Sequence, residues 1–315
     1  MEMVLLSCFP PLRRRKPSSS SIADVDEPVK LFSSLITDID RLQTSLQPEG
    51  SISLKWCSEA TNLLRKIHFQ MLLCYEKVPC SWDGINILEE YMKETLDLLD
   101  LCNSLKSAIS GMGRYRLMVD IAVGKFCDDN EIPEATAMTE IERLESWSKN
   151  IYGVEKWKDM NLFEITGMPK TKIRFIYAIK STITVMGKLI FSAVLYPVSN
   201  IGKEEEVYRE FPQLKLFSVS LGRLVDCFLK GKDDTRRQVL VENKVVEKAV
   251  LDIKEEVLKG KEAGDRERLR KSIDLLKKSS LALEEGVEMF EAVVNKLFEE
   301  VVNGRNKILA MLNAN

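Results

Sequence analysis

Residues 269–301 read LRKSIDLLKKSSLALEEGVEMFEAVVNKLFEEV, and this stretch decides the fold. Leu269, Ile273, Leu276, Ser280, Leu283, Val287, Phe290, Val294, Leu297 and Val301 recur at alternating four- and three-residue steps for more than four heptads. On an α-helix that spacing gathers them into one seam, the pattern of coiled-coil-like packing. Leu275, Met289, Val293, Phe298 and Val302 flank the seam and widen it beyond what a two-helix contact needs. Two arrangements satisfy the pattern. The helix is either the spine of a bundle within one chain or a seam for a homodimer or a protein partner.

Moving outward, helical signals fill most of the remaining chain. The spacing of Leu31, Leu35, Ile39, Leu42 and Leu46 predicts an amphipathic helix from near Pro28 that ends before Pro48. A second helix is predicted over Leu54 to Lys77, stopping at Pro79. A third is predicted over about 83–110. Ile85, Leu88, Met92, Thr95, Leu99, Cys102 and Ile109 keep its rhythm, Lys106 breaks it, and Gly111 and Gly113 serve as caps. Further helices are expected at 114–127, 134–150 and 211–229, and the stretch 235–258 is highly charged with valines and leucines interspersed. Glycine (15) and proline (10) are scarce, which favours long helices, and no strand pattern emerges. The expected fold is all-α: a multi-helix bundle over 26–315 with a long C-terminal heptad-patterned helix.

Residues 172–198 are the most apolar stretch, and from Ser181 to Val198 Lys188 is the one charge. A buried central helix is one reading. A membrane span is the other, although Lys188 near its middle costs about 2.5–3.5 kcal/mol.

Residues 1–25 stand apart and read as a disordered arm, with Pro10, Pro11, Pro17, the run Arg13-Arg14-Arg15-Lys16 and four serines from Ser18. Cys8 beside that basic run suggests a two-signal peripheral membrane anchor. Ser18, which follows Arg15, Lys16 and Pro17, is a candidate phosphosite, and a phosphate there would offset the basic charge. An inert arm and a plastid transit peptide are the alternatives. The apolar residues from Met3 to Phe9 are too few, and wrongly placed before the basic run, for a secretory signal.

Several chemistries find no residues to carry them. His68 is the one histidine, and Cys57 on its helix would be about 16 Å away, too far for a shared metal or a nucleophile–base pair. Gly111-Met112-Gly113 has Arg116 where a phosphate loop needs its third glycine. Asp128-Asp129-Asn130-Glu131 lacks the glycine and glutamate of a calcium loop, with Thr139 at the latter position. No Glu-x-x-His exists for a di-metal bundle. The basic run carries no interleaved aromatics, so no nucleic-acid partner is expected, and net charge −2 supplies no general attraction. Seven cysteines with no C-x-x-C pair suit a reducing compartment. No catalytic residue, cofactor or metal is expected. An enzyme or metabolite binder using carboxylates in the helical core is kept as a rival class.

A family resemblance rests on Trp56-Cys57, Leu72-Leu73-Cys74, Pro79, Ser81-Trp82-Asp83 and the stretch Thr95-Leu96-Asp97-Leu98-Leu99-Asp100-Leu101-Cys102-Asn103-Ser104-Leu105. With these residues the chain resembles the plant BYPASS family from Trp56 through Val123, and more weakly from about residue 30 to the C-terminus. The resemblance implies a non-enzymatic developmental regulator that acts through protein–protein interaction to restrain a root-derived mobile signal arresting shoot growth. A related branch is linked to exocyst subunits, which makes a membrane-associated adaptor for secretory machinery the alternative. Some members are plastid- or membrane-associated. The arm matches no family pattern, so the expected location is cytoplasmic or peripheral membrane, with plastid as the alternative.

Overall fold

The structure is a computed structural model and describes residues 23–46, 51–77, 81–82, 85–128, 133–151, 174–195, 198, 201, 215–230, 240–259 and 263–313. Among the described residues there are eight helices: α1 Ala23–Thr44, α2 Leu54–Lys77, α3 Ile87–Asp128, α4 Glu134–Asn150, α5 Arg174–Val194, α6 Lys215–Leu229, α7 Val241–Lys259 and α8 Ala263–Asn313. Among the described residues the only strands form a short antiparallel ladder, β1 Ser81–Trp82 with β2 Ile85–Asn86, pairing Ser81 with Asn86 and Trp82 with Ile85. The protein is an all-α bundle, as the periodicity requires. The ladder delays the start of α3 from 83 to Ile87.

The 51-residue α8 is the spine. It packs along α2, α3 and α7. Ile273, Leu276, Ser280, Leu283, Val287, Phe290, Val294, Leu297 and Val301 are all buried, and Leu269 is half-buried. The seam is thus filled by helices of the same chain, and it continues past Val301 through Gly304 to Ile308. Exposed Glu285, Glu288, Glu291 and Lys296 keep the opposite face wet.

Around this spine the other helices are held by specific contacts. Ser53 caps α2, its Oγ accepting the Trp56 N–H at 3.1 Å. A carboxylate from α7 helps: Glu242 Oε1 accepts the Leu54 N–H at 2.9 Å, and Val241 N–H donates to Ile52 O at 2.9 Å. Trp56 then donates its indole N–H to Leu42 O at the end of α1 and packs against Phe228 of α6. Phe32 and Phe217 meet edge-on at 4.7 Å, so α1 and α6 form an outer pair on α2. α4 bridges α3 and α7 through Lys125 with Glu140 and Lys254 with Glu145.

α3 corrects one expectation. Gly111 and Gly113 are not caps between two helices; they lie inside a single 42-residue helix. Gly111 is buried, and a Cβ there would overlap the backbone carbonyl of Ile151 beyond the end of α4. The glycine therefore admits a close backbone approach. No such neighbour surrounds Gly113. Lys106, the break in the α3 stripe, lays its ammonium 4.0 Å over the Phe298 ring.

α5 packs against α2 and α3. From Ser181 to Leu195 every residue is buried except Lys188, which is half-buried. Among the described residues no helix is long and apolar enough to cross a membrane. The apolar run is consumed by packing inside the bundle, and the helix stops at Val194, short of the Val198 that a span would reach.

Candidate functional site

The seam residues Leu269, Ile273, Leu276, Leu283, Val287, Phe290, Val294, Leu297 and Val301 are core, so the outward face of α8 is a different set of residues. Cys8, Arg13, Arg14, Arg15, Lys16 and Ser18 lie outside the described residues. Arg116, considered above as part of a phosphate loop, sits mid-helix on α3 and pairs with Asp120 at 2.8 Å and Glu284 of α8 at 3.0 Å. Ser280 donates to Asp120 at 2.5 Å beside them. Asp128 ends α3, and 129–131 lie outside the described residues.

Pattern reading missed a polar cluster inside the bundle, where α2, α3, α5 and α8 meet. His68 on α2 is 1% exposed, with Nε2 3.1 Å from the Tyr91 hydroxyl of α3 and no partner at Nδ1. The Tyr75 ring meets Tyr91 edge-on at 5.1 Å. A Cβ on Gly304 of α8 would overlap the Tyr91 hydroxyl, so glycine is what lets α8 approach. Next to it, Arg305 donates to Met92 O and to Thr95 Oγ1, the latter at 2.8 Å, while Thr95 donates to Tyr91 O. Further pairs close the ends: Arg65 with Glu300, and Lys307 with Glu76 at 2.6 Å. From α5, Lys180 reaches Glu90 at 2.7 Å and Glu94 at 3.0 Å on α3.

Burial and neighbouring charge set the protonation of each group in this cluster. Burial pulls Lys180 down, but Tyr75, Glu94 and Glu90 together outweigh it and hold the ammonium above its ordinary range. Burial pushes the phenols of Tyr75 and Tyr91 upward. It pulls His68 down to about 4 against the opposing charge of Glu300. At neutral pH the lysine is therefore charged, the phenols protonated and the imidazole neutral. None is poised as a nucleophile, and the imidazole is shut away from solvent. The buried thiols follow the same rule: burial first, then Glu242, raises Cys57 well above its usual range, and burial pushes Cys102 to about 12. Cys57, Cys74, Cys102, Cys127 and Cys227 are all free thiols. Among the described residues no three His, Cys, Asp or Glu side chains gather as a metal site.

No protein-family model, curated protein or solved structure matches the chain. The residues themselves carry the functional argument. The stretch Thr95–Leu105 lies on α3 with Leu98, Leu101, Cys102 and Leu105 buried. Leu96, Asp100, Asn103 and Ser107 are exposed and follow one another at four, three and four residues, forming a single outward stripe. Asp100 and Asn103 thus stand on the surface beside Leu96, while Leu98, Leu101, Cys102 and Leu105 hold the helix down together with the buried Thr95 and Ser104.

Proposed function

We propose that the protein is a non-enzymatic plant developmental regulator of the BYPASS type. It binds another protein and so restrains a root-derived mobile signal that arrests shoot growth. The observation that carries this reading is the stretch from Thr95 to Leu105, which resembles the family and turns Asp100 and Asn103 toward solvent beside Leu96, itself 51% exposed. An exposed leucine flanked by polar groups on a rigid helix suits a partner contact better than a reaction. The closed state of the interior cluster supports the same choice.

Grafting supplies the test. A wild-type shoot on a root lacking the protein is expected to arrest, and normal growth of that shoot removes the reading. Restoring the root with Leu96→Glu/Asp100→Arg/Asn103→Ala sharpens it. This variant keeps the helical circular dichroism of the parent but is expected to leave the shoot arrested, since all three positions lie on the exposed stripe.

The place of action is a cytoplasmic or membrane surface reached through the arm. Changing Arg13, Arg14, Arg15 and Lys16 to alanine and Cys8 to serine is expected to move the protein from the membrane pellet to the soluble fraction. Equal partition of the two proteins would remove the arm from the account.

A further inference from the structure

His68 has no part in the binding surface, yet its surroundings give it a task. It is the single histidine of the chain, it is fully buried, and it touches the hydroxyl that rests on Gly304. Its neighbours can be followed element by element. On α3 stand Tyr91, Glu90 just before it and Glu94 a turn after it, the two carboxylates both engaged by Lys180 of α5. On α8 stand Glu300, already paired with Arg65, and Arg305, bonded to Met92 O and Thr95. On α2 itself are Arg65, Tyr75 and Glu76, the last paired with Lys307.

In the neutral imidazole the Tyr91 hydroxyl serves Nε2 as donor or acceptor, and Nδ1 is left without a partner, at a cost far below that of an unpaired N–H on a buried cation. An imidazolium has two N–H donors. Here one would find Tyr91 and the other, at Nδ1, would find nothing. The carboxylate whose charge would favour the added proton, Glu300, is committed to Arg65, and the positive charge of Arg305 already acts on Tyr91.

We propose that His68 is an acid-operated latch: its protonation unseats Tyr91 from Gly304 and frees the last turns of α8 from α2 and α3. The inference does not depend on the partner or pathway proposed above. The sign is set by burial, which depresses the folded-state imidazole to about 4 against an ordinary 6.5. A base depressed in the closed state stabilises that state fully above 6.5. The contribution is lost as pH falls, and the loss levels off near 4.

Hydrogen exchange on the full chain, with intrinsic rates corrected for pH, reads the latch directly. Protection over Arg305–Met311 is expected to drop by about 100-fold between pH 7 and 4.5, while Leu283–Leu297 loses much less. In His68→Phe the drop should vanish, and an unchanged drop would overturn the proposal by assigning it to carboxylates. If that variant fails to fold, wild type alone still decides, because a lone histidine gives one unambiguous pair of imidazole ring-proton resonances. Its midpoint must fall near the pH at which the loss of protection levels off. A midpoint at 6.5 or above, or a low midpoint with undiminished protection of Arg305–Met311, overturns the latch.

Discussion

α5 and α8 both supply the core, but they are buried in opposite styles. α8 hides one stripe and shows water the rest, with Leu283, Phe290 and Leu297 inside and Glu285, Glu288 and Glu291 outside. α5 hides every side of itself between Ser181 and Leu195 save at Lys188. A stripe states its own orientation, since only one face can go inward. An all-round apolar helix states only that something must cover it, and protein or lipid would both serve. Here α2 and α3 supply the cover. Ser181, Thr182, Thr184 and Ser192 are buried on α5; Thr182 returns its proton to Ala178 O at 2.7 Å, and Ser192 Oγ accepts the Val198 N–H at 3.4 Å. These small residues suit close helix contact.

The largest test of that contrast is truncation along each helix. Phe290→Ala on α8 is expected to cost about 3–5 kcal/mol in chemical denaturation, whereas Glu288→Ala two residues earlier should stay within about 0.5 kcal/mol. On α5, Ile183→Ala and Leu189→Ala, both buried and about 120° apart around the helix, should each cost about 2–5 kcal/mol. A cheap position within Ile183–Ile190 other than Lys188 would show that α5 has a free face after all.

Glycines provide the intermediate effect. Gly304→Ala is expected to destabilise by about 1–3 kcal/mol, because the new methyl meets the Tyr91 hydroxyl and Leu72. Gly111→Ala should do likewise against the Ile151 carbonyl, where backbone must move. Gly113→Ala has open space and should gain about 0.5–1 kcal/mol from helix propensity. Equal responses at 111 and 113 would mean that α4 does not approach α3 as described.

The smallest effects compare two buried serines. Ser280→Ala on α8 removes the hydrogen bond to Asp120 and should cost about 1 kcal/mol. Ser181→Ala on α5 removes a buried hydroxyl with no partner and should be neutral or stabilising by about 1 kcal/mol. Thermal melts that rank them the other way would point to an acceptor for Ser181.

How far the sequence was legible follows from the same contrast. The α8 seam could be read because periodicity is a local property, and α2 was bounded correctly by Leu54 and Lys77 for that reason. Gly111 misled, since a glycine that ends a helix and one that admits a neighbouring carbonyl look alike until α4 is in place. Lys106 looked like an error in the stripe because its partner, Phe298, is far away along the chain. The interior cluster was illegible for a stronger reason. His68, Tyr91, Thr95, Gly304 and Arg305 come from three helices and follow no spacing rule. The one available signal was Gly304, a glycine standing in the seam register one heptad after Leu297.

The dependence of α2 and α3 on α8 also has a consequence during synthesis. Both are translated long before the helix that covers them, since α3 ends at Asp128 and α8 begins at Ala263. At ordinary ribosomal speeds that interval lasts on the order of ten seconds. Throughout it Leu64, Ile67, Leu101 and Leu105 lack part of their cover. The nascent chain therefore presents a half-finished apolar surface, the kind of surface that favours aggregation until its cover arrives.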